Sequence, residues 1–271
     1  MELRGKVCVV TGASSGIGRR TALDLAELGA RVCVTARRRE LLETLLDVMG
    51  GGDAGHSLVV TDVSIRKDVR ALAAEVSERY GRLDVLVNNA GFSKERPLYE
   101  KGAVGDLEKV MKTNFNGAVY CTAELLPLLL ASAPSHVVNV ASMAGRLAMG
   151  GSPAYCASKF ALVGWSEALH FQLESRGVRV SVVEPGLIPT EGFPQEPFKK
   201  DPLLKYALGS TKDVSDAIVH AIRKSKMERV VPRWYYLLQI PRLLAPPLYR
   251  VAQRRLVMPK QKKLAEEADA T

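Results

Sequence analysis

Val7-Cys8-Val9-Val10-Thr11-Gly12-Ala13-Ser14-Ser15-Gly16-Ile17-Gly18-Arg19-Arg20 runs from an apolar strand into a glycine-rich turn, and Thr21-Ala22-Leu23-Asp24-Leu25-Ala26 continues as a helix. Such a turn leaves unpaired backbone N–H groups at a helix N-terminus, pointing at one spot. The helix dipole and the free donors both favour a phosphate there. Gly12 permits the tight turn, Gly16 lets the backbone approach a pyrophosphate, and Gly18 lets the helix pack close on the strand. Alone, the spacing also fits a plain turn; the strand before and the helix after make it a candidate dinucleotide cradle.

The chain beyond repeats the alternation. Further strands are expected at 31–36, 57–61, 83–87, 136–141 and 179–183, between helices at 16–28, from 37 onward, 64–80, 107–130 and 152–175. Ser152-Pro153 reads as the N-cap and first residue of the last of these. Strands alternating with helices imply an α/β fold with a parallel sheet covered on both faces, and a ligand beyond the carboxyl ends of the strands. The distinctive residues fall at those ends: Thr11-Gly12, Ala36-Arg37, Asp62-Val63, Asn88, Ser142 and Pro185-Gly186. They converge on one rim.

A length of 271 residues suits one large α/β domain. No run of about 18 apolar residues and no signal-peptide pattern occurs, so a cytoplasmic location is expected. Cys8, Cys33, Cys121 and Cys156 lack metal-ligand spacing; they read as buried, reduced thiols, and no metal is expected. The net charge is +9, and twelve Lys or Arg face one acid, Glu228, between Arg223 and Lys263. The basicity therefore belongs to the C-terminal tail. That tail interleaves prolines and leucines with its charges and shows no recognised nucleic-acid module, so no nucleic-acid partner is expected.

Tyr155-Cys156-Ala157-Ser158-Lys159 puts a tyrosine and a lysine at i and i+4 on one helix face. A free tyrosine titrates near pH ~10. A neighbouring ammonium favours the phenolate and lowers that value, making the tyrosine a usable proton donor and acceptor toward an alcohol or ketone. The bare spacing also fits a surface pair; Ser142 on the same rim favours the chemical reading.

With these residues assembled, the chain resembles the classical short-chain dehydrogenases/reductases. The matching pieces are Thr11 to Gly18, Asn88-Asn89-Ala90-Gly91, Asn114, Ser142, Tyr155 with Lys159, and Pro185-Gly186 through Thr190. The resemblance spans about Lys6 to Thr190 and implies a Rossmann-type, doubly wound single domain. It implies that Tyr155 handles the substrate proton, that Lys159 holds the nicotinamide ribose and depresses the pKa of Tyr155, and that Ser142 bonds the substrate oxygen. Asn114 is implied to kink its helix and hold a water in the proton relay. Gly12, Ser14, Ser15, Gly16, Ile17 and Gly18 are implied to cradle the cofactor phosphates. Asp62 and Val63 are implied to border the adenine. Asn88, Ala90 and Gly91 support the pocket, and Pro185, Ile188 and Thr190 reach toward the nicotinamide. A homodimer or homotetramer through helices 107–130 and 152–175 is also implied.

An acid at the end of the second strand would select NAD by pairing with the ribose 2′-OH. This chain has Ala36 there, then Arg37, which can pair with a 2′-phosphate bidentately. NADP(H) is therefore expected over NAD(H); the other reading of Arg37 is a solvated basic helix start.

After the core at 1–190, residues 191–228 read as a substrate lid and last core helix, and 229–271 as a basic, apolar extension. Phe193 and Phe198 line the lid, pointing to a hydrophobic ketone or secondary alcohol, steroid-, retinoid- or acyl-like; a disordered insertion is the competing reading. The apolar stretch after Val230 is broken by prolines and Arg242. It packs over the cleft or a second subunit, or rests on an anionic membrane. The other function class left open is a catalytically silent NADP-binding sensor or scaffold.

Overall fold

β1 (Val7–Thr11) is buried at every position. Its side chains alternate between two cores. Cys8 and Val10 pack with Ala22 and Leu25 of α1 (Gly16–Glu27), whereas Val7 and Val9 pack with Val69, Leu72 and Leu125. A strand covered on both faces has to be a near-continuous apolar run, which is why this stretch reads so plainly in the sequence. The structure, a computed structural model, describes residues 1–94, 96–148, 151–191, 208–251 and 254.

The chain continues through β2 (Arg31–Ala36), α2 (Arg39–Val48), β3 (Ser57–Val60), α3 (Arg66–Tyr80), β4 (Val85–Asn88), α4 (Ala103–Met111) and α5 (Gly117–Ala131). Then come β5 (Ser135–Val140), α6 (Pro153–Glu174), β6 (Val178–Pro185), α7 (Thr211–Lys224), β7 (Glu228–Val231) and α8 (Ile240–Leu244). The sheet runs β3-β2-β1-β4-β5-β6-β7, with every pair parallel. One face is covered by α1, α2 and α7, the other by α3, α5 and part of α6. This is the Rossmann-type doubly wound sheet. Its winding reverses between β1 and β4, which opens a crevice beyond their carboxyl ends.

Three features differ from the sequence reading. β7 is an additional strand: Glu228-Arg229-Val230-Val231 is only four residues long and its first two are charged. An alternation so short merges with the apolar stretch that follows. The helix expected at 107–130 is α4 and α5, joined by a π-helical turn at Lys112–Asn116 with Asn114 buried in it. A π turn re-aims the side chains it carries and recurs at functional sites. Finally, Ser152 precedes α6 but its side chain makes no capping hydrogen bond; the reciprocal capping box lies at α7, between Ser210 and Asp213.

A buried carboxylate fastens the start of β1 to the neighbouring strand. The fully buried Asp84 accepts from the Val7 N–H at 2.9 Å, from Lys6 Nζ at 3.0 Å and from Arg82 Nη2 at 2.7 Å. Burial alone would raise its pKa, but hydrogen bonds from Arg82, the Val7 N–H and Lys6 together pull it below its ordinary value. The stabilisation it supplies is therefore present above pH 3.8 and is lost as pH falls through and below that value. Asp84→Ala is expected to cost about 3 kcal/mol in urea unfolding at neutral pH, because it strands a buried backbone N–H and removes the ion pairs. The gap to the parent should narrow in acid.

Candidate active site

The glycine turn is clamped to the end of β4. Thr11 Oγ1 accepts from the N–H groups of Asn89 (3.0 Å) and Ala90 (3.1 Å), while Asn89 Nδ2 donates to Thr11 O at 3.0 Å and Gly12 O at 3.3 Å. Gly12 has φ +64°, and a Cβ there would stand 2.8 Å from Ala90 Cα. A Cβ on Gly18 would overlap Gly12 O and Asn89 Nδ2. Thr11 and Asn89 belong to the matching motif pieces, and their role is this clamp between the glycine turn and the end of β4. Asn88 points the other way. It donates to Asn139 Oδ1 at 2.9 Å and Thr122 Oγ1 at 3.0 Å, holding β4, β5 and α5 together beneath the site.

The second half of the rim is built on α6. Tyr155 is half-buried and hydrogen-bonds Ser142. Ser142 Oγ also donates to Pro185 O at 3.3 Å and accepts from the Ala144 N–H at 3.1 Å, so the first turn after β5 fixes it. Lys159 Nζ lies 5.6 Å from the Tyr155 ring centroid and donates to Val140 O at 2.9 Å. Gly91 faces both Asn114 and Lys159: a Cβ there would lie 3.1 Å from Asn114 Oδ1 and 3.5 Å from Lys159 Nζ. Asn114 Oδ1 accepts from the Phe92 N–H at 3.0 Å, and its Nδ2 donates to Phe92 O at 2.9 Å and Ser158 Oγ at 3.0 Å. Ser158 in turn donates to Tyr155 O at 2.8 Å, linking the π turn to the tyrosine's own helical turn.

Burial pushes the Tyr155 phenol up to about 12, a hydrogen bond with Ser142 pulls the other way, and Cys156 adds to the rise. Burial also pushes Lys159 down to about 8. Enclosure disfavours the charged form of both groups.

Val63 is buried against Gly117, and Asp62 Oδ1 accepts from the Ser64 N–H at 2.9 Å. Thr190 abuts Gly16, joining the loop after β6 to the first turn, and Ile188 is buried in the core. Arg37 is exposed at the end of β2. Its neighbour Arg38 lies across the glycine turn, donating to Ser15 Oγ at 2.9 Å and Ser14 Oγ at 3.1 Å, and pairs with Glu191 at 2.8 Å. Phe193 and Phe198 lie outside the described residues.

Arg146 secures the turn that carries Ser142. Its guanidinium meets Glu184 at 2.9 Å, Glu167 at 2.7 Å and Glu228 at 3.3 Å. Burial pushes Glu184 up to about 7 from 4.5, against the pull of Arg146. A raised folded-state value means that its contribution to stability is full below pH 4.5 and is lost as pH rises through about 7. Arg146→Ala should cost about 3 kcal/mol at pH 8, since it leaves a buried carboxylate without its cation. Glu184→Gln should be near neutral, and its unfolding midpoint should gain on the parent as pH rises.

A sequence model of the family described as short chain dehydrogenase matches residues 6–199. The chain belongs to that family. The enzyme is 36% identical over 190 residues to D-threitol dehydrogenase of Mycolicibacterium smegmatis, covering 70% of this chain and 73% of the relative. It is 34% identical over 190 residues to the 3-oxoacyl-(acyl-carrier-protein) reductase of Thermotoga maritima, covering 70% and 77%. It is 33% identical over 238 residues to 11-beta-hydroxysteroid dehydrogenase-like 4A of Arabidopsis thaliana, covering 86% and 78%. This dehydrogenase is thus an oxidoreductase of a family that uses nicotinamide cofactors. Its residues fit such a dinucleotide: Gly12 and Gly18 have no room for a Cβ, so the turn packs tightly on Asn89 and Ala90, and Gly91 brings bare backbone up to Asn114 and Lys159.

Proposed function

We propose that this oxidoreductase uses NADP(H) and reduces a hydrophobic ketone to a secondary alcohol, running the reverse oxidation where concentrations favour it. The observation that carries the reading is the hydrogen bond between Tyr155 and Ser142, with Lys159 beside it. The bound nicotinamide supplies or accepts the hydride. Ser142 and the Tyr155 hydroxyl hold the substrate oxygen. Tyr155 donates its proton to that oxygen as the carbonyl carbon becomes an alcohol carbon, and the Lys159 ammonium stabilises the phenolate left behind. Asn114 and Ser158 hold the tyrosine's helical turn in register, and Asn114 carries the water through which the proton is replaced. A phenol held well above its free value is protonated at neutral pH, which favours the reductive direction.

Arg37 and Arg38, with Ser14 and Ser15 at the turn, form the 2′-phosphate site; no carboxylate stands at Ala36 to repel it. Met143, Leu147 and Tyr235 cluster beside Ser142 and make that wall apolar, in keeping with relatives named for hydroxysteroid and 3-oxoacyl compounds. A second copy packs on the α4–α6 side, where Phe171 is exposed, and the C-terminal extension touches an anionic membrane. The test is a panel of apolar ketones and alcohols with NADPH and NADP, followed by reduced-nicotinamide absorbance. Turnover of small polyols alone would refute the apolar-substrate reading.

A further inference from the structure

After β7 the chain crosses the substrate side of the rim. Tyr235 packs against Gly186 and clusters with Met143 and Val230, Arg242 lies 4.9 Å over the Phe160 ring, and Tyr249 donates to Ala148 O at 3.2 Å. Those anchors bury little of the segment's apolar surface. Leu237 is 62% exposed, Leu243 74%, Leu244 82% and Leu248 69%, with Trp234 and Ile240 also open to solvent. So many large apolar side chains in one short segment form a patch that requires a partner.

Next to it is a cleft of about 470 Å³ along the outer edge of β7, to which Arg233 and Tyr236 contribute directly. Its cations are Lys224, Lys226, Arg229 and Arg233. The lining carboxylate, Glu228, is engaged by Arg146 at 3.3 Å and hydrogen-bonded to Tyr236. Arg229 Nη2 donates to the His220 ring at 2.6 Å, and burial with the nearby Arg229 lowers the His220 pKa, so the imidazole does not add to the positive charge. Arg229 Nε is buried without a partner among the described residues. The cleft thus has a surplus of cations, as an oxyanion site requires.

We propose that this cleft is a headgroup-phosphate site through which the enzyme docks on an anionic bilayer, with the leucines and Trp234 of the adjoining segment entering the lipid interface. The proposal rests on the membrane contact stated above and names the site responsible. Charge complementarity selects lipid over a second copy: from Arg223 to Arg250 the same stretch carries seven cations and one acid, Glu228, so two copies would repel face to face. Aromatic and leucine side chains flanked by arginines suit the interfacial layer of an anionic leaflet. Because this segment packs beside Met143 and Leu147, an apolar substrate dissolved in the leaflet would meet the mouth of the active site directly.

The test is flotation of the full chain with phosphatidylcholine vesicles, with and without phosphatidylglycerol, at low and high salt. Binding is expected to the anionic vesicles, to fall with salt, and to be lost in Leu243→Ser/Leu244→Ser. The exposed pair Lys224→Ala/Lys226→Ala should weaken it about 30-fold, while the control pair Lys109→Ala/Lys112→Ala leaves it unchanged. NADPH turnover on soluble substrate should be unaffected in every variant. Equal weakening by both lysine pairs would replace the cleft with a net-charge effect and overturn the proposal, leaving membrane contact intact. Absence of vesicle binding by the parent chain would overturn the contact and the site together. So would a dimer in sedimentation velocity that the leucine variant dissociates, or inorganic phosphate uptake without vesicle binding. None of these outcomes bears on the hydride-transfer chemistry, which the turnover assay reads separately.

Discussion

Tyr155→Phe is expected to lower kcat about 10³-fold, the scale of a positioned general acid, while NADPH affinity and the unfolding midpoint stay close to the parent's. The variant removes a single oxygen. Ser142 keeps its bonds to Pro185 O and the Ala144 N–H, so no buried hydroxyl is stranded and the site does not collapse. Stopped-flow absorbance for turnover and fluorescence titration for cofactor binding separate the two effects. A parent chain that binds NADPH yet turns over nothing, and therefore shows no change on substitution, would favour the catalytically silent sensor. The pH dependence follows from the same geometry. Reduction should be flat up to about pH 8, because Tyr155, pushed up to about 12, stays protonated and Lys159 stays charged. Above about 8 it should decline as Lys159 loses the charge that stabilises the developing phenolate. Oxidation needs the phenolate as base and should rise with pH before that decline.

Arg37→Asp is expected to shift the ratio of NADPH to NADH kcat/KM toward NADH by about 10²-fold. The change removes a charge-assisted contact to the 2′-phosphate worth about 2 kcal/mol and adds a like charge beside it. The new carboxylate can also pair with a ribose 2′-OH. Arg38→Ala should shift the ratio less, by about tenfold, because Arg38 already shares its guanidinium among Ser14, Ser15 and Glu191. Cofactor dissociation constants for both variants check this. An unchanged ratio in both would remove the arginines from cofactor selection.

The sequence is legible where a residue's role follows from local pattern. Val7 to Val10 had to be apolar because both faces of β1 are covered, and the glycines after it mark places where a Cβ has no room. Asn114, Ser142, Tyr155 and Lys159 could be singled out because their residue types and order match a known constellation. β7 was not legible, since four residues with two charges carry no period. Nor was Arg38 distinguishable from Arg37, because adjacent arginines look alike until the backbone turns one across the glycine loop.

What the sequence by itself determined is the doubly wound sheet and the rim positions at its strand ends, because strand and helix periods and turn glycines are short-range properties. Only the tertiary structure decided how those groups behave. Enclosure raises Tyr155 and lowers Lys159, where pairing alone would have lowered the tyrosine. It also decided that Arg146 gathers carboxylates from α6, β6 and β7 behind Ser142, and that the C-terminal segment anchors through Tyr235 while its leucines face outward. Desolvation and ion pairing depend on what surrounds a side chain in space, and residues far apart in the chain supply those surroundings.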